Sequence, residues 1–317
     1  MTGAQARSLA AALADGAVVL DGGLSNQLAA AGHDLSDALW SARLLVDRPR
    51  ALVAAHLGYF RAGARVAISG SYQASFEGFA RRGVGRAGAA RLIASSVSLA
   101  REAAVLAERD GRGRRWVAAS VGPYGAVLAD GSEYRGRYGL SVAQLERWHR
   151  PRLEVLAAAG PDVLALETVP DVDEARALLR VVRGLGVPVW LSYSVAGDRT
   201  RAGQPLEEAF AVAAGVPEVV AVGVNCCSPA DADRAVPVAA GVTGLPVVVY
   251  PNSGERWESG RGWVGEPTFR PGRVAGWVAG GARLVGGCCR VGEAEIAALA
   301  GAVRGRTGHG GPGRGGR

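Results

Sequence analysis

The amino-acid sequence predicts a single-domain α/β protein, a (β/α)8 TIM barrel. Three observations carry this: eight short β-branched runs, helix-patterned segments between them, and a polar or glycine-rich cluster at the end of each run. The runs are residues 17–21, 65–69, 116–121, 163–167, 188–193, 219–225, 246–250 and 283–287. They are continuously apolar rather than alternating, as expected for parallel strands buried on both faces. Between them lie segments with apolar residues at helical spacing, such as 51–62, 87–109, 142–159, 172–183, 206–214 and 273–279, with a last helix at 293–303. Eight strands with helical crossovers is the count of a closed barrel. An open doubly wound sheet is the runner-up, disfavoured because no strand leads into a GxGxxG turn.

The chain's 317 residues suit one barrel. The barrel is expected over residues 1–304, followed by a disordered Gly- and Arg-rich tail, 305–317. The first residues read as a short surface helix leading into the first strand, because Asp15 interrupts any signal-peptide core. No apolar stretch is long enough to span a bilayer. A cytoplasmic protein is expected, with small-molecule substrates, no membrane and no nucleic acid; nothing in the sequence sets an oligomeric state. The formal charge of +7 does not argue otherwise. All basic residues are Arg, scattered among Asp and Glu with no basic stripe, so the surface is mildly basic and solvated.

Barrel chemistry collects at the C-terminal ends of the strands. Those ends carry Asp21-Gly22-Gly23, Tyr72-Gln73, Glu167-Thr168, Asn225-Cys226-Cys227, Asn252-Ser253 and Cys288-Cys289. The four cysteines thus form two adjacent pairs on one rim. Clustered cysteines in a large cytosolic chain point to metal or catalysis rather than to a disulfide framework. Strands six and eight flank strand seven, so the pairs lie roughly 10 Å apart at the backbone, close enough for one ion to bridge. Cys288 and Cys289 must sit where the strand breaks into a turn, which Gly286-Gly287 permits. Cys226 and Cys227 face opposite ways on a strand; spacing alone does not choose between them. Four thiolates would close a structural site, whereas three leave a position open for substrate.

The blocks DGGLSNQL, SGSYQASFEGFARRG, SVGPYGAVLADGSEYRGRY, LALETVPD, VGVNCC, YPNSGE and GGCCR, in that order, resemble the homocysteine S-methyltransferases. That family is related to betaine–homocysteine methyltransferase. The resemblance runs from about Asp15 to Gly301. It implies a Zn2+ site made by Cys226, which follows the Asn of the family's G-[IV]-N-C pattern, with Cys288 and Cys289; Cys227 is left to packing. It implies transfer of a methyl group to the homocysteine thiol, and DGSEYRGRY with YPNSGE looks most like the branch using S-methylmethionine, with S-adenosylmethionine as a second donor. The chain has no room for folate and cobalamin modules. Glu167 is expected to hold the homocysteine ammonium, with Asp21 in a similar part, and the amides of Gly22 and Gly23 its carboxylate. Tyr72 and Gln73 are expected near the metal face, where in the betaine enzymes a Tyr can occupy the vacant position. Asn225 and Asn252 are candidates for the donor site or for capping.

Alternatives are a zinc-storing or structural barrel with all four cysteines closed on the ion, and a betaine-type methyltransferase. Pyridoxal phosphate chemistry is excluded because the chain has no Lys. His33, His56 and His149 fall on no strand end and read as packing or surface residues. Trp257 and Trp263, in the loop 255–267, are candidates for a lid.

Overall fold

In the computed structural model the described residues are 8–34, 41–111, 113–258 and 262–307. Eight parallel strands close a barrel: β1 (Val18–Val19), β2 (Val66–Ile68), β3 (Trp116–Val121), β4 (Val163–Val169), β5 (Val189–Tyr193), β6 (Val219–Asn225), β7 (Val247–Tyr250) and β8 (Ala282–Val285). Each pairs in parallel with its sequence neighbours, and β8 returns to β1 through Val18 beside Leu284. The seam between β1 and β2 is closed by a single parallel bridge, Leu20 to Val66, and by the Arg65 amide donating to the Val19 carbonyl at 2.7 Å. All eight expected runs are strands of this barrel.

The apolar residues divide as double burial requires. One face of each strand packs on the surrounding helices, with Val117, Leu164, Leu166, Leu191, Val222 and Val249 in a continuous layer. The other face fills the barrel interior with Val66, Trp116, Ala165, Trp190, Val248 and Leu284. The helix Leu9–Asp15 belongs to that interior cluster through Leu9, Ala12 and Leu13. It is therefore not the surface helix expected: it lies across the N-terminal end of the barrel and plugs it. Its apolar face was legible, but the partner that buries the face comes from eight distant strands.

The large crossover helices stand where the periodicity places them, including Pro49–Ala62, Arg86–Arg109, Val142–Ala158 and Val172–Val182. The closing helix Glu293–Thr307 extends past residue 304; residues 308–317 of the expected tail lie outside the described residues. No helix among the described residues is long and apolar enough to cross a membrane.

Five non-glycine residues among those described have left-handed backbone: Ala129, Arg137, Thr168, Cys226 and Arg290. Thr168, Cys226 and Arg290 lie at or just past the C-terminal ends of strands, Ala129 caps the short helix Tyr124–Leu128, and Arg137 lies in the loop after β3. Such conformations cost about 1–3 kcal/mol each and persist where the surroundings enforce them, most often at functional sites.

His56, on Pro49–Ala62, is fully buried and neither ring nitrogen has a hydrogen-bond partner among the described residues. Burial lowers its pKa to about 4. Because an unfolded His titrates near 6.5, the unfolded chain takes up the proton first, and stability falls as pH drops from about 6.5 toward 4. His56→Leu is expected to stabilise the protein by about 1 kcal/mol at pH 8, by removing unpaired polar atoms. The advantage should grow by roughly 2 kcal/mol at pH 5. Urea unfolding at the two pH values measures this; a Leu variant with no added advantage at pH 5 would refute it.

Candidate metal and substrate site

A cavity opens at the C-terminal mouth of the barrel, about 770 Å3 including the part continuous with solvent. Its floor is a network of buried polar groups. Trp190 Nε1 donates to the Tyr250 hydroxyl at 3.1 Å, and that hydroxyl donates to Glu167 Oε2 at 2.9 Å. Ser120 Oγ donates to the other Glu167 oxygen. Asn225 accepts on Oδ1 from the Thr168 amide at 2.7 Å and from Ser192 Oγ at 2.8 Å, while its Nδ2 donates to Thr168 Oγ1. Asn225 thus holds the β4 bulge, where register shifts between Leu166 and Val169 and Thr168 turns to a φ of +58°.

At the end of β6 the chain turns left-handed at Cys226, with φ +48°. This resolves the choice that alternation left open. The sulfur of Cys226 enters the cavity and lies 2.7 Å from that of Cys288, while Cys227 is fully buried in the layer between strands and helices. Cys289 completes the group: the three sulfurs lie within 4.8 Å of one another. The turn bearing Cys288 and Cys289 is held from below and from the side. The Cys288 amide donates to the Pro251 carbonyl at 2.8 Å and the Cys289 amide to Asn252 Oδ1 at 3.1 Å. A Cβ on Gly287 would meet Val291 Cγ1 at 2.1 Å, so the strand can only leave the barrel here as glycine.

The donor set fits a soft metal ion. Two Zn–S bonds of about 2.3 Å span up to about 4.6 Å, comparable with the spacing of these sulfurs. Hydrogen bonds from Cys226 and Cys288 draw the Cys289 pKa well down, while Cys288, bonded to Cys226 and Cys289 and buried, is pushed well up. The three thiols therefore do not ionise alike. A cation bound among them would allow all three to ionise.

The remaining expected residues are distributed unevenly. Gly22, Tyr72, Glu167 and Asn225 line the cavity. Gly23 does too, but its amide already donates to the Val291 carbonyl at 2.9 Å, so the expected pair of carboxylate-binding amides is corrected to Gly22 at most. A Cβ on Gly23 would meet the Cys288 carbonyl oxygen at 2.6 Å, so this glycine serves close packing. Asp21 is buried; Oδ2 accepts from the Ile68 amide at 2.8 Å and Oδ1 has no partner. Gln73 is buried and donates to the Ala126 carbonyl, and Asn252 supports the cysteine turn rather than the cavity wall.

Burial pushes the Glu167 carboxyl up to about 7 against the opposing hydrogen bonds from Ser120 and Tyr250. Burial likewise raises Asp21 well above the usual range, with Glu167 adding to it. His149 proves to be a packing residue of a particular kind. It is fully buried and bonded to Glu174 at 2.9 Å, with Arg152 against its other nitrogen. Glu174 also accepts from the Tyr124 amide at 2.5 Å and from the Tyr138 hydroxyl at 3.2 Å. This cluster pins the long loop that follows β3. The loop brings Glu133 and Tyr134 into the cavity, two residues that strand ends could not reveal. The segment bearing Trp257 and Trp263 forms an antiparallel pair, but the Trp257 side chain, and with it the lid expectation, lies outside the described residues.

The sequence profile described as homocysteine S-methyltransferase matches residues 18–303. The chain belongs to the homocysteine S-methyltransferase family. It is 46% identical over 290 residues to a homocysteine S-methyltransferase of Escherichia coli strain K12, covering 89% of this chain and 94% of that one. It is 45% identical over 310 residues to homocysteine S-methyltransferase 4 of Zea mays, covering 92% and 90%. Among solved structures it is similar to the homocysteine methyltransferase MmuM of Escherichia coli in its metallated form, with a TM-score of 0.83, 44% identity and coverage of 92% and 98%. The apo form of the same enzyme gives a TM-score of 0.74, at 38% identity and the same coverage.

Proposed function

We propose that this protein transfers a methyl group from S-methylmethionine to the thiol of L-homocysteine, forming methionine, in the cytoplasm. The observation that carries the reading is the convergence of Cys226, Cys288 and Cys289 on the cavity of a chain in this family, with Cys227 turned away. Cys226, Cys288 and Cys289 would hold Zn2+, which when bound deprotonates a substrate thiol at neutral pH. Three ligands rather than four leave room for that thiol, so the closed four-cysteine reading is disfavoured.

The chain's own residues do the rest. Glu167, fixed by Ser120 and Tyr250 and with no ion pair among the described residues, is placed to receive the ammonium group of homocysteine. Asp21, with Oδ1 unpartnered among the described residues, would assist when ionised, although its burial favours the neutral form. The cavity walls would hold the reacting sulfur near the methyl group to be taken. A sulfonium donor needs no general acid, because its leaving group is a neutral thioether.

The test is a donor screen with purified protein and L-homocysteine. Methionine should form with S-methylmethionine, more slowly with S-adenosylmethionine, and not with betaine. Turnover with betaine alone would overturn the donor assignment. No turnover with any sulfonium would overturn the reading itself.

A further inference from the structure

Glu133 lines the cavity, and among the described residues its carboxylate has no hydrogen-bond partner beyond its own backbone amide. It sits in the short turn Ser132–Tyr134 of the loop after β3, 6% exposed, with Oε2 buried and unpartnered. Its neighbours in kind are held by others: Glu167 by Ser120 and Tyr250, Glu174 by His149, Tyr124 and Tyr138, and Asp21 on one oxygen by the Ile68 amide. Leaving a buried carboxylate unpaired is costly, and a fold keeps one where a ligand completes it.

The position is also enforced. A Cβ on Gly125 would strike the Glu133 amide nitrogen at 2.5 Å, so that glycine lets the turn close over the cavity. Asp130 accepts from the Ser132 amide at 3.0 Å, and Glu174 holds both ends of the loop through Tyr124 and Tyr138. Glu133 lies near enough to Cys226 for that sulfur's charge to oppose its ionisation, although burial is the larger cause of its raised pKa. Two aromatic rings, Tyr72 and Tyr134, line the same cavity, and Arg201 lies 5.5 Å from the centre of the Tyr134 ring. A carboxylate and two phenol rings in the cavity that the three cysteines share form a receptor for a soft, weakly hydrated cation.

We propose that Glu133, together with Tyr72 and Tyr134, receives the positively charged sulfonium group of the methyl donor. This rests on the methyltransferase reading above and deepens it by naming the donor's subsite. In the transfer, the bond from the donor sulfur to the methyl carbon breaks and its electron pair stays on that sulfur. The homocysteine thiolate supplies the pair for the new bond, so one positive and one negative sulfur become two neutral thioethers. The product left beside Glu133 has lost the charge that bound it. The same box therefore favours donor over product.

The experiment compares wild type with Glu133→Gln, and with Glu133→Asp as the charge-conserving variant. The donor KM should rise about 10-fold or more in the Gln variant while the homocysteine KM stays within about twofold. Two unreactive analogues of the donor supply the second readout: an amino acid of the same length ending in trimethylammonium, and its neutral tert-butyl isostere. Titration calorimetry on the metal-loaded wild type should show the cation bound about 10-fold or more tighter. The preference should vanish in Glu133→Gln and return in part in Glu133→Asp. A Gln variant that keeps both the donor KM and the preference overturns the proposal. A wild type that binds the cation selectively yet transfers no methyl group would sink the methyltransferase reading and leave the cation site standing.

Discussion

A Cys288→Ala protein is expected to purify without its metal ion and to lose methyl transfer by about 10³-fold or more. The sulfur of Cys288 lies between the other two in function: it is 2.7 Å from that of Cys226 and its hydrogen bond helps to set the charge on Cys289. With two thiolates left, the site offers too few soft ligands to hold zinc against water. Homocysteine would then have to react as a free thiol, mostly protonated at pH 7 and no longer oriented. Cys226→Ala and Cys289→Ala should behave alike. Cys227→Ala is the control, because that sulfur lies among apolar side chains of the outer layer. It should keep metal and activity and lose only about 1–2 kcal/mol of stability to a small cavity. Elemental analysis beside the activity assay decides the matter. Full activity in metal-free Cys288→Ala would refute the assignment.

Glu167→Gln is expected to lower kcat/KM for homocysteine by about 100-fold, the loss of a buried charge-assisted pair. The wild type should show why. With its carboxyl raised to about 7 by burial, Glu167 must be ionised to accept an ammonium, so kcat/KM for homocysteine should fall about tenfold per pH unit as pH drops below 7. That limb should disappear in the Gln variant. Stability should move the other way. A carboxyl whose folded pKa exceeds its unfolded value of 4.5 contributes stability fully present below that value and lost as pH rises through about 7. Ionised Glu167 therefore costs the fold about 3 kcal/mol at pH 8. Glu167→Gln should unfold at higher urea there while binding homocysteine worse. A variant within threefold of wild-type kcat/KM would refute the role.

The barrel was legible because parallel strands buried on both faces leave uninterrupted apolar runs, and all eight coincide with strands. The ends were less so. β1 is only Val18–Val19, since Leu20 makes a lone bridge across the seam. The helix Pro229–Thr243 carries Pro237 in its interior, which masks its helical pattern in the sequence. Short rim helices such as Leu24–Ala30 and Tyr124–Leu128 are too brief for periodicity to mark. In the site, Cys288, Cys289 and Glu167 follow from their place at strand ends. The choice of Cys226 over Cys227 depends on a left-handed φ, which no side-chain pattern reports; the family resemblance supplied it. The occupied amide of Gly23 and the intrusion of Glu133 were out of reach for the same reason. Each is set by contacts between segments far apart in the chain, Gly23 with Val291 and the Glu133 loop with Glu174.

The helix Leu9–Asp15, set into the far end of the barrel through Leu9 and Leu13, makes the cavity a cul-de-sac. Two amino-acid-sized reactants must share one doorway, and neither can be pushed out through the back. A molecule seated against Glu167 and Tyr250 at the floor is trapped for as long as its companion sits above it. Ordered binding is therefore the expected outcome, with the molecule at the floor entering first and leaving last, and product-inhibition kinetics would show it.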